Sequence, residues 1–212
     1  MNQRILKVGL TGGLATGKTH VASVLARLGC HVLSADQLGH EVLLPQGAAY
    51  DDVIREFGPQ ILDPDGRIDR RRLAAQVFEQ PERLEKLNSL VHPHVIRREE
   101  LWVAQVAANH PGAIAVVEAA ILIETGSYQR FDRIILTVCP LEMQLQRHMH
   151  RTGESEAETR ARLARQMPLD AKRRYAHYVI DTSGPREDSD RQVEEVFRQL
   201  GRGAPWAREG AV

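Results

Sequence analysis

The sequence predicts a three-layer α/β/α domain in which a parallel sheet of five strands lies between layers of helices. Three observations lead to this fold class: a glycine-rich motif typical of phosphate-binding loops, short apolar runs typical of buried parallel strands, and apolar residues at helical spacing between those runs. A chain of 212 residues is long enough for one such core with smaller insertions. We therefore expect a substantial buried core.

The first predicted strand is the apolar run from Ile5 to Leu10, which leads directly into the glycine-rich motif. The octet after it satisfies Gly-x-x-x-x-Gly-Lys followed by Ser or Thr, the pattern of a P-loop. A helix with apolar residues at i, i+3, i+4 and i+7 follows, from Val21 to Leu28. We predict that the whole octet binds a nucleotide: Gly12, Gly13, Leu14, Ala15, Thr16, Gly17, Lys18 and Thr19.

Two side chains of this octet carry chemistry. The N–H groups of a P-loop form an anion-binding concavity at the start of a helix, where the helix dipole adds a favourable field. Lys18 is predicted to place its positive charge on the β- and γ-phosphates, which makes it a catalytic candidate. Thr19 places a hydroxyl where it can reach Mg²⁺. The motif therefore predicts a phosphate site that includes Mg²⁺.

Composition argues against several other classes of function. The chain has 28 Lys and Arg against 28 Asp and Glu, so no global field attracts it to nucleic acid or to a membrane surface. It has neither a signal-peptide pattern nor an apolar run of 18 residues. Cys30 and Cys139 are expected to be buried thiols rather than a disulfide or a metal pair. We therefore expect a cytoplasmic protein without a nucleic-acid, membrane or obligate protein partner.

A second predicted strand, 30–35, ends at Asp36, at the sheet edge where ligands of open α/β folds bind. The chain from Gln37 to about Asn109 is mostly helical in pattern, and prolines, including Pro93, interrupt it. Asp69 can cap one of these helices. Because this stretch is too long for an ordinary crossover, we interpret 37–109 as a helical insertion that binds the second substrate.

Three further strands complete the predicted sheet, at 113–117 before Glu118, at 133–138 and at 178–180. A closing helix is expected to stop at Gly201. The predicted nucleotide-binding core consists of 1–36, 110–150 and 176–201, and a disordered tail of 202–212 follows it.

The stretch after the fourth strand is the most basic part of the chain. A predicted helix has Leu141, Leu145 and Met149 on one face, with Arg147 and Arg151 away from it. Ser155 to Glu158 has the spacing of a capping box, which indicates a second helix. From residue 147 to 177 there are eight Lys and Arg against four Asp and Glu. We interpret 151–175 as a lid over the nucleotide.

A P-loop, strand-end carboxylates and a basic helical segment are the parts of a phosphoryl-transfer site. Asp36 is the candidate general base, and its alternative role is a helix N-cap. Glu118 could hold Mg²⁺ through water, or it could be an acidic residue that the P-loop satisfies. Arg147 is a catalytic candidate that would meet the transferring phosphoryl group after the lid closes. The alternative for Arg147, and for Arg151, is a solvated helix face. His92 could take part in the site, or it could only stabilise a turn before the following proline.

Several short motifs together resemble the dephospho-coenzyme A kinase family over about Ile5 to Leu200. The family's Gly-Leu-Thr-Gly-Gly-x-x-x-Gly-Lys loop matches Gly9 to Lys18, including Thr11. Its Gln-Leu-x-Arg-x-x-x-Arg lid segment matches 144–151. The other matching motifs are Ser34-Ala35-Asp36, Ile68-Asp69-Arg70, Leu87-Asn88, His92-Pro93, Gln166-Met167-Pro168 and the segment from Ala176 to Gly184.

The resemblance implies transfer of the ATP γ-phosphoryl, with Mg²⁺, to the 3′-hydroxyl of dephospho-coenzyme A, the last step of coenzyme A synthesis. It implies that Arg147 and Thr182 contact ATP. Thr19 and Glu118 stay the candidate metal ligands, with Asp36 as the alternative to Glu118. The residues implied to contact the acceptor are Thr11, Asp36, Arg70, His92 and Glu118. Ser34 replaces the first Asp of the family's acidic pair, and Thr182 replaces an Asn near the expected adenine site.

Two other readings stay open on physical grounds alone. One is a kinase of another nucleoside or small metabolite on the same fold. The other is a nucleotide-switched binding protein, although the guanine-reading Asn-Lys-x-Asp motif of that class does not occur in the sequence.

Overall fold

The computed structural model describes residues 5–77 and 80–202. The predicted disordered tail lies outside the described residues, except for Arg202, which is the last residue of the final helix. The chain forms two compact units, one that holds residues up to 33 and from 103 onward, and a second that spans Ser34–Trp102. Within the described ranges, no helix is both long enough and apolar enough to cross a membrane.

The first unit is built on a five-stranded sheet with the order β2-β3-β1-β4-β5. Its strands are β1 (Leu6–Gly12), β2 (His31–Ser34), β3 (Ile114–Glu118), β4 (Arg133–Val138) and β5 (Tyr178–Asp181). The pairings of β1 with β3, of β1 with β4 and of β4 with β5 are parallel. Leu10 on β1 is in register with Glu118 on β3, so the end of β3 lies beside the loop that follows β1. The predicted parallel sheet is confirmed.

Nine helices occur within the described residues, together with short 3₁₀ turns at Pro59–Ile61 and Ser127–Arg130. In chain order they are α1 (Lys18–Arg27), α2 (Ala35–Glu41), α3 (Tyr50–Phe57), α4 (Arg70–Val77), α5 (Pro81–Asn109), α6 (Leu141–Thr152), α7 (Glu156–Leu163), α8 (Leu169–Arg173) and α9 (Arg186–Arg202).

The core of the first unit joins the sheet to α1 and α9. Strand residues Val8, Leu10 and Ile135 are fully buried, because parallel strands covered by helices must be apolar on both faces. The helices contribute Val21, Val24, Leu25, Val193 and Leu200 to the same cluster. This is the three-layer α/β/α arrangement that the apolar pattern predicts.

The two cysteines are buried free thiols, as predicted. Burial raises the pKa of Cys30 to about 12, so its thiol stays protonated at neutral pH. Burial also raises the pKa of Cys139, against smaller opposing effects that include the charge of Arg147. Both residues therefore act as small apolar groups.

The second unit is helical, and the sequence explains most of its boundaries. Asp69 caps α4, since its Oδ1 accepts hydrogen bonds from the Arg71 and Arg72 N–H groups at 2.8 and 3.2 Å. Leu73 and Val77, the predicted apolar positions of α4, are buried. The prediction that Pro93 interrupts the helical stretch is wrong, because α5 continues through it. The missing Pro93 N–H removes one hydrogen bond, and the 29-residue helix continues on either side.

The predicted apolar face of α6 is also partly wrong. Leu145 is buried, but Leu141 is 46% exposed. The buried polar residues of α6 are Gln144 and His148 instead. These polar side chains can be buried because each has a hydrogen-bond partner. Gln144 Nε2 donates to the Cys139 carbonyl at 3.2 Å, and His148 Nε2 lies 3.0 Å from Glu154 Oε2.

Candidate functional site

The P-loop connects β1 to α1, as predicted. Gly17 precedes α1 in the left-handed conformation, with φ of 78°, which a residue with a Cβ rarely adopts. As the N-cap it has no side chain to accept a hydrogen bond from the first turn. The positive end of the α1 dipole therefore faces the loop without a side-chain cap, which is the arrangement that anion sites use.

A row of threonines behind the loop fixes its shape. Thr16 Oγ1 donates to the Gly13 carbonyl at 2.9 Å and lies 2.7 Å from Thr137 Oγ1. Thr137, at the end of β4, also donates to the Thr11 carbonyl at 3.3 Å. All three threonines are fully buried. Sequence reasoning missed Thr137, because a threonine inside a strand pattern is ordinary and only the strand order places it behind the loop.

Gly12 has no room for a side chain. A Cβ there would lie 2.5 Å from Thr16 Oγ1 and 2.8 Å from the Thr137 carbonyl oxygen. We expect Gly12→Ala to lower the free energy of unfolding by about 1–3 kcal/mol and to reduce kcat at least tenfold, because the loop must shift. Thermal melts and steady-state kinetics measure both effects. Gly201→Ala is the matched control, since a Cβ there meets open space, and equal effects of the two changes would contradict this account.

The two predicted metal ligands lie together. Thr19 Oγ1 donates to Glu118 Oε1 at 3.1 Å, so the end of β3 meets the first turn of α1. This contact matches the alternative in which the P-loop satisfies Glu118. It also sets two hard oxygen ligands side by side, which is the donor set that Mg²⁺ prefers. Lys18 Nζ donates to the Gly13 carbonyl at 2.9 Å, so its charge lies against the loop.

Arg147 is held against the P-loop by Thr182 and does not lie on a solvated helix face. Its Nη1 donates to Thr182 Oγ1 at 3.2 Å, and its Nη2 donates to the Thr182 carbonyl at 2.7 Å. Thr182 is 5% exposed, and its hydroxyl lies 3.0 Å from the Thr16 carbonyl. Thr182 thus links the end of β5, the P-loop and Arg147, a connection that the sequence could not show.

Arg151 belongs to a separate network at the turn between α6 and α7. Its Nη2 lies 3.3 Å from Nδ1 of the buried His148, whose other ring nitrogen contacts Glu154. Both Glu154 oxygens also accept from Arg162 at 2.8 Å. Hydrogen bonds from Arg162 and then from His148 lower the pKa of Glu154. Further along, the predicted capping box is confirmed, with Ser155 and Glu158 bonded reciprocally.

In the second unit, the N-cap of α2 is Ser34, whose side chain accepts from the Gln37 N–H at 3.3 Å. The alternative that Asp36 is this cap is therefore wrong. Asp36 lies in the first turn and is exposed. The cap falls on Ser34 because α2 begins two residues earlier than the pattern indicates.

The charges of Asp36 and Arg70 both change the pKa of His40. Sequence reasoning did not identify His40 as part of this group. Partial burial lowers the pKa of His40, the charge of Arg70 lowers it further, and the Asp36 carboxylate opposes both. Asp36 and His40 are four residues apart on α2, hence on one helix face. Two of the predicted acceptor ligands therefore share a neighbourhood.

His92 lies inside α5 and stabilises no turn, because the helix continues through Pro93. That alternative is wrong. The imidazole is half-buried, and burial lowers its pKa, which favours the neutral ring.

A cavity of about 670 Å³ opens beside Gly13, between the start of α6 and the connection from α7 to α8. Buried amide oxygens of Gln144 and Gln166 accept no hydrogen bond from the described residues. Gln144 Oε1 lies 2.7 Å from the position of a Cβ on Gly13, so a side chain there would require the Gln144 amide to move.

Comparison with known proteins identifies close resemblances over most of the chain. The family model described as dephospho-CoA kinase matches residues 6–188. The dephospho-CoA kinase of Aquifex aeolicus is 36% identical over 196 residues, 92% of this chain and 98% of that protein. The Thermobifida fusca dephospho-CoA kinase is 38% identical over 198 residues, 93% of this chain and 98% of that protein. The crystal structure of TT1252 from Thermus thermophilus superposes with a TM-score of 0.79 at 33% identity, covering 93% of this chain and 98% of that one.

Proposed function

The chain belongs to the dephospho-CoA kinase family, and we propose that it transfers the γ-phosphoryl group of ATP to the ribose 3′-hydroxyl of dephospho-coenzyme A. The products are coenzyme A and ADP. The observation that carries the proposal is the P-loop whose Thr19 hydroxyl meets the Glu118 carboxylate at 3.1 Å, because this contact sets a phosphate cradle beside a carboxylate at one sheet edge. A cytoplasmic location stays a prediction.

Binding of the donor is assigned to the P-loop. Its N–H groups and the start of α1 would accept the β- and γ-phosphates, and Lys18 would move from the Gly13 carbonyl to the γ-phosphoryl oxygens. A lysine charge placed there stabilises the negative charge of the transferring group. The loop needs little reorganisation, because the buried threonines already hold it.

Thr19 and Glu118 would hold Mg²⁺, in part through water, since Mg²⁺ uses one or two protein oxygens together with substrate phosphates. When bound, the ion would neutralise charge on the β- and γ-phosphate oxygens.

Asp36 is assigned to the acceptor. An exposed carboxylate two residues after β2, with no capping duty of its own, can accept the hydroxyl proton or orient the hydroxyl for attack. Arg70 is the proposed cationic partner for acceptor phosphate, supported by the field that it and Asp36 exert on His40. His92 and Thr11 stay proposed acceptor contacts, Thr11 being bonded to the Ala120 carbonyl at 3.4 Å. We retain 37–109 as the acceptor-binding insertion and 151–175 as the lid.

Arg147 is assigned to the transferring phosphoryl group. We expect Arg147→Lys to lower kcat about tenfold or more, because an ammonium cannot hold Thr182 and a phosphoryl oxygen with a planar fork. Steady-state kinetics at saturating ATP measure the change. Arg198→Lys, at an exposed position of α9, is the control. If the Arg147 variant kept its kcat, the arginine would serve only to hold Thr182.

The proposal is tested by ADP release with a panel of acceptors at fixed ATP and Mg²⁺. We expect dephospho-coenzyme A to raise the rate far above that with adenosine, shikimate or gluconate. Faster turnover with one of those acceptors would reassign the enzyme within the fold. Nucleotide-dependent binding of a protein without any acceptor turnover would support a switch protein instead.

A further inference from the structure

Lys172, on α8, is an unusual lysine. Its side chain is 0% exposed, whereas lysines almost never lose all contact with water unless their charge is paired. Its Nζ lies 2.8 Å from Glu124 Oε1 and donates to the Ala120 carbonyl at 3.1 Å. Glu124 and Ala120 belong to the loop that follows β3. A charge buried in this way joins α8 to the segment that carries Glu118.

Glu124 extends the same connection to the chain before α8. Its Oε1 accepts from the Met167 N–H at 3.0 Å, in addition to Lys172. Its other oxygen, Oε2, is buried without a hydrogen bond from the described residues. The Glu124 side chain is 19% exposed, and within the described ranges its carboxylate is bonded through Oε1 only, so Lys172 is the group that compensates its negative charge.

Both joined segments flank the P-loop. On one side, the Ala120 carbonyl that Lys172 binds also accepts from Thr11 Oγ1, and Ala120 is two residues after Glu118. On the other side, Leu169, two residues after Met167, lies 3.3 Å from the position of a Cβ on Gly13. The Lys172–Glu124 pair thus sets the distance between the loop after β3 and the α7–α8 connection.

Energy alone does not account for such a pair. A buried ion pair has a desolvation cost comparable to its attraction, so two apolar residues of similar size would stabilise the fold equally well. What a fixed lysine offers in addition is geometry: three donors that bind a carbonyl and a carboxylate from one loop at once. That capacity fits a role in placing the loop.

We propose that Lys172 and Glu124 are positioning residues that anchor the α7–α8 connection to the loop after β3. This anchor places Glu118 and the lid segment at the correct positions to meet the phosphates. The catalytic consequence rests on the proposed function. The anchor itself is a property of the structure and is measurable without substrate.

The first test is hydrogen–deuterium exchange of the complete protein without ligand. In Lys172→Met, we expect exchange of the amides in 119–125 and in 164–169 to rise together, at least tenfold, because one anchor holds both. The control is Arg198→Met, which breaks the exposed Arg198 to Glu195 pair of 2.7 Å on α9 and should leave both segments unchanged. Unchanged exchange in the Lys172 variant, or a rise confined to one segment, would overturn the anchor.

The second test separates positioning from stability. Lys172→Met combined with Glu124→Gln leaves no unpaired charge, so the Tm should return to within a few degrees of the wild type. The substituted thioether side chain has no donor for the Ala120 carbonyl, so kcat should stay at least tenfold low while KM for ATP moves less than threefold. Recovery of kcat with Tm, or a double variant that does not fold, would assign the pair to stability alone. If the wild-type protein does not phosphorylate dephospho-coenzyme A, the proposed function is refuted. The hydrogen–deuterium exchange result tests the anchor independently of that outcome.

Discussion

Lys18→Ala is expected to lower kcat on the order of 10³-fold or more, the scale at which a single cationic group stabilises a transferring phosphoryl group. Lys18 Nζ lies 2.9 Å from the Gly13 carbonyl, and the side chain is not part of the apolar core. Alanine keeps the helix propensity at the start of α1. The Tm without ligand should therefore change little while transfer is lost.

Nucleotide binding provides the matching measurement for this variant. ATP should raise the wild-type Tm by mass action, and the rise should be smaller in Lys18→Ala because the phosphates lose a charge partner. Arg198→Ala, which removes a cation from the exposed surface of α9, should leave both kcat and the ATP-induced rise unchanged. A Lys18→Ala enzyme with near wild-type kcat would contradict the assignment of the loop.

Asp36→Asn is expected to lower kcat about 10²-fold or more, the usual scale of a positioned general base, with KM for ATP and Tm little changed. Asparagine is nearly the same size but is a poor proton acceptor. The structure sharpens this test, because Ser34 and not Asp36 caps α2. Ser34→Ala is therefore the control that measures the cap alone, with an expected loss of about 0.5–2 kcal/mol in unfolding free energy and little change in kcat.

If another carboxylate can replace Asp36 as the general base, we expect it to be Glu118. Glu118→Gln should lower kcat through the metal, since Thr19 would lose its charged partner. If the two carboxylates act independently, the double variant should show the product of the two single effects. A double variant no worse than Asp36→Asn would mean that the two residues serve one step, and a kcat unaltered by Asp36→Asn would remove that residue from the chemistry.

The parts of the fold that sequence reasoning predicted are those that local rules determine. The apolar runs located all five strands within one or two residues. For β1, β3 and β4 the reason is burial, since a buried parallel strand must be apolar throughout, whereas β2 and β5 lie at the sheet edges and are only partly buried. The P-loop and the capping box at Ser155 follow from contacts within a few residues of chain. The Asp69 cap belongs to the same class.

The errors and omissions arise where the spacing of apolar residues does not determine the structure. Pro93 interrupts a helix in isolation, but a 29-residue helix tolerates the loss of one hydrogen bond. Gln144 and His148 are buried on α6 because Cys139 and Glu154 supply partners, which no periodicity reveals. Lys172 stands among other basic residues in the sequence, and only the fold brings it to Glu124, which lies far from it along the chain. Thr137 meets the P-loop through strand order alone.

The position of the transferred phosphate distinguishes dephospho-coenzyme A kinase activity from every other phosphoryl transfer. The purified protein, ATP, Mg²⁺ and dephospho-coenzyme A are incubated together, and the product is examined by ³¹P NMR and mass spectrometry. We expect one added phosphoryl group per molecule of dephospho-coenzyme A, as a monoester on the ribose 3′ oxygen, together with an equal amount of ADP. A phosphate on any other oxygen, or ADP formed without a phosphorylated acceptor, would contradict this expectation.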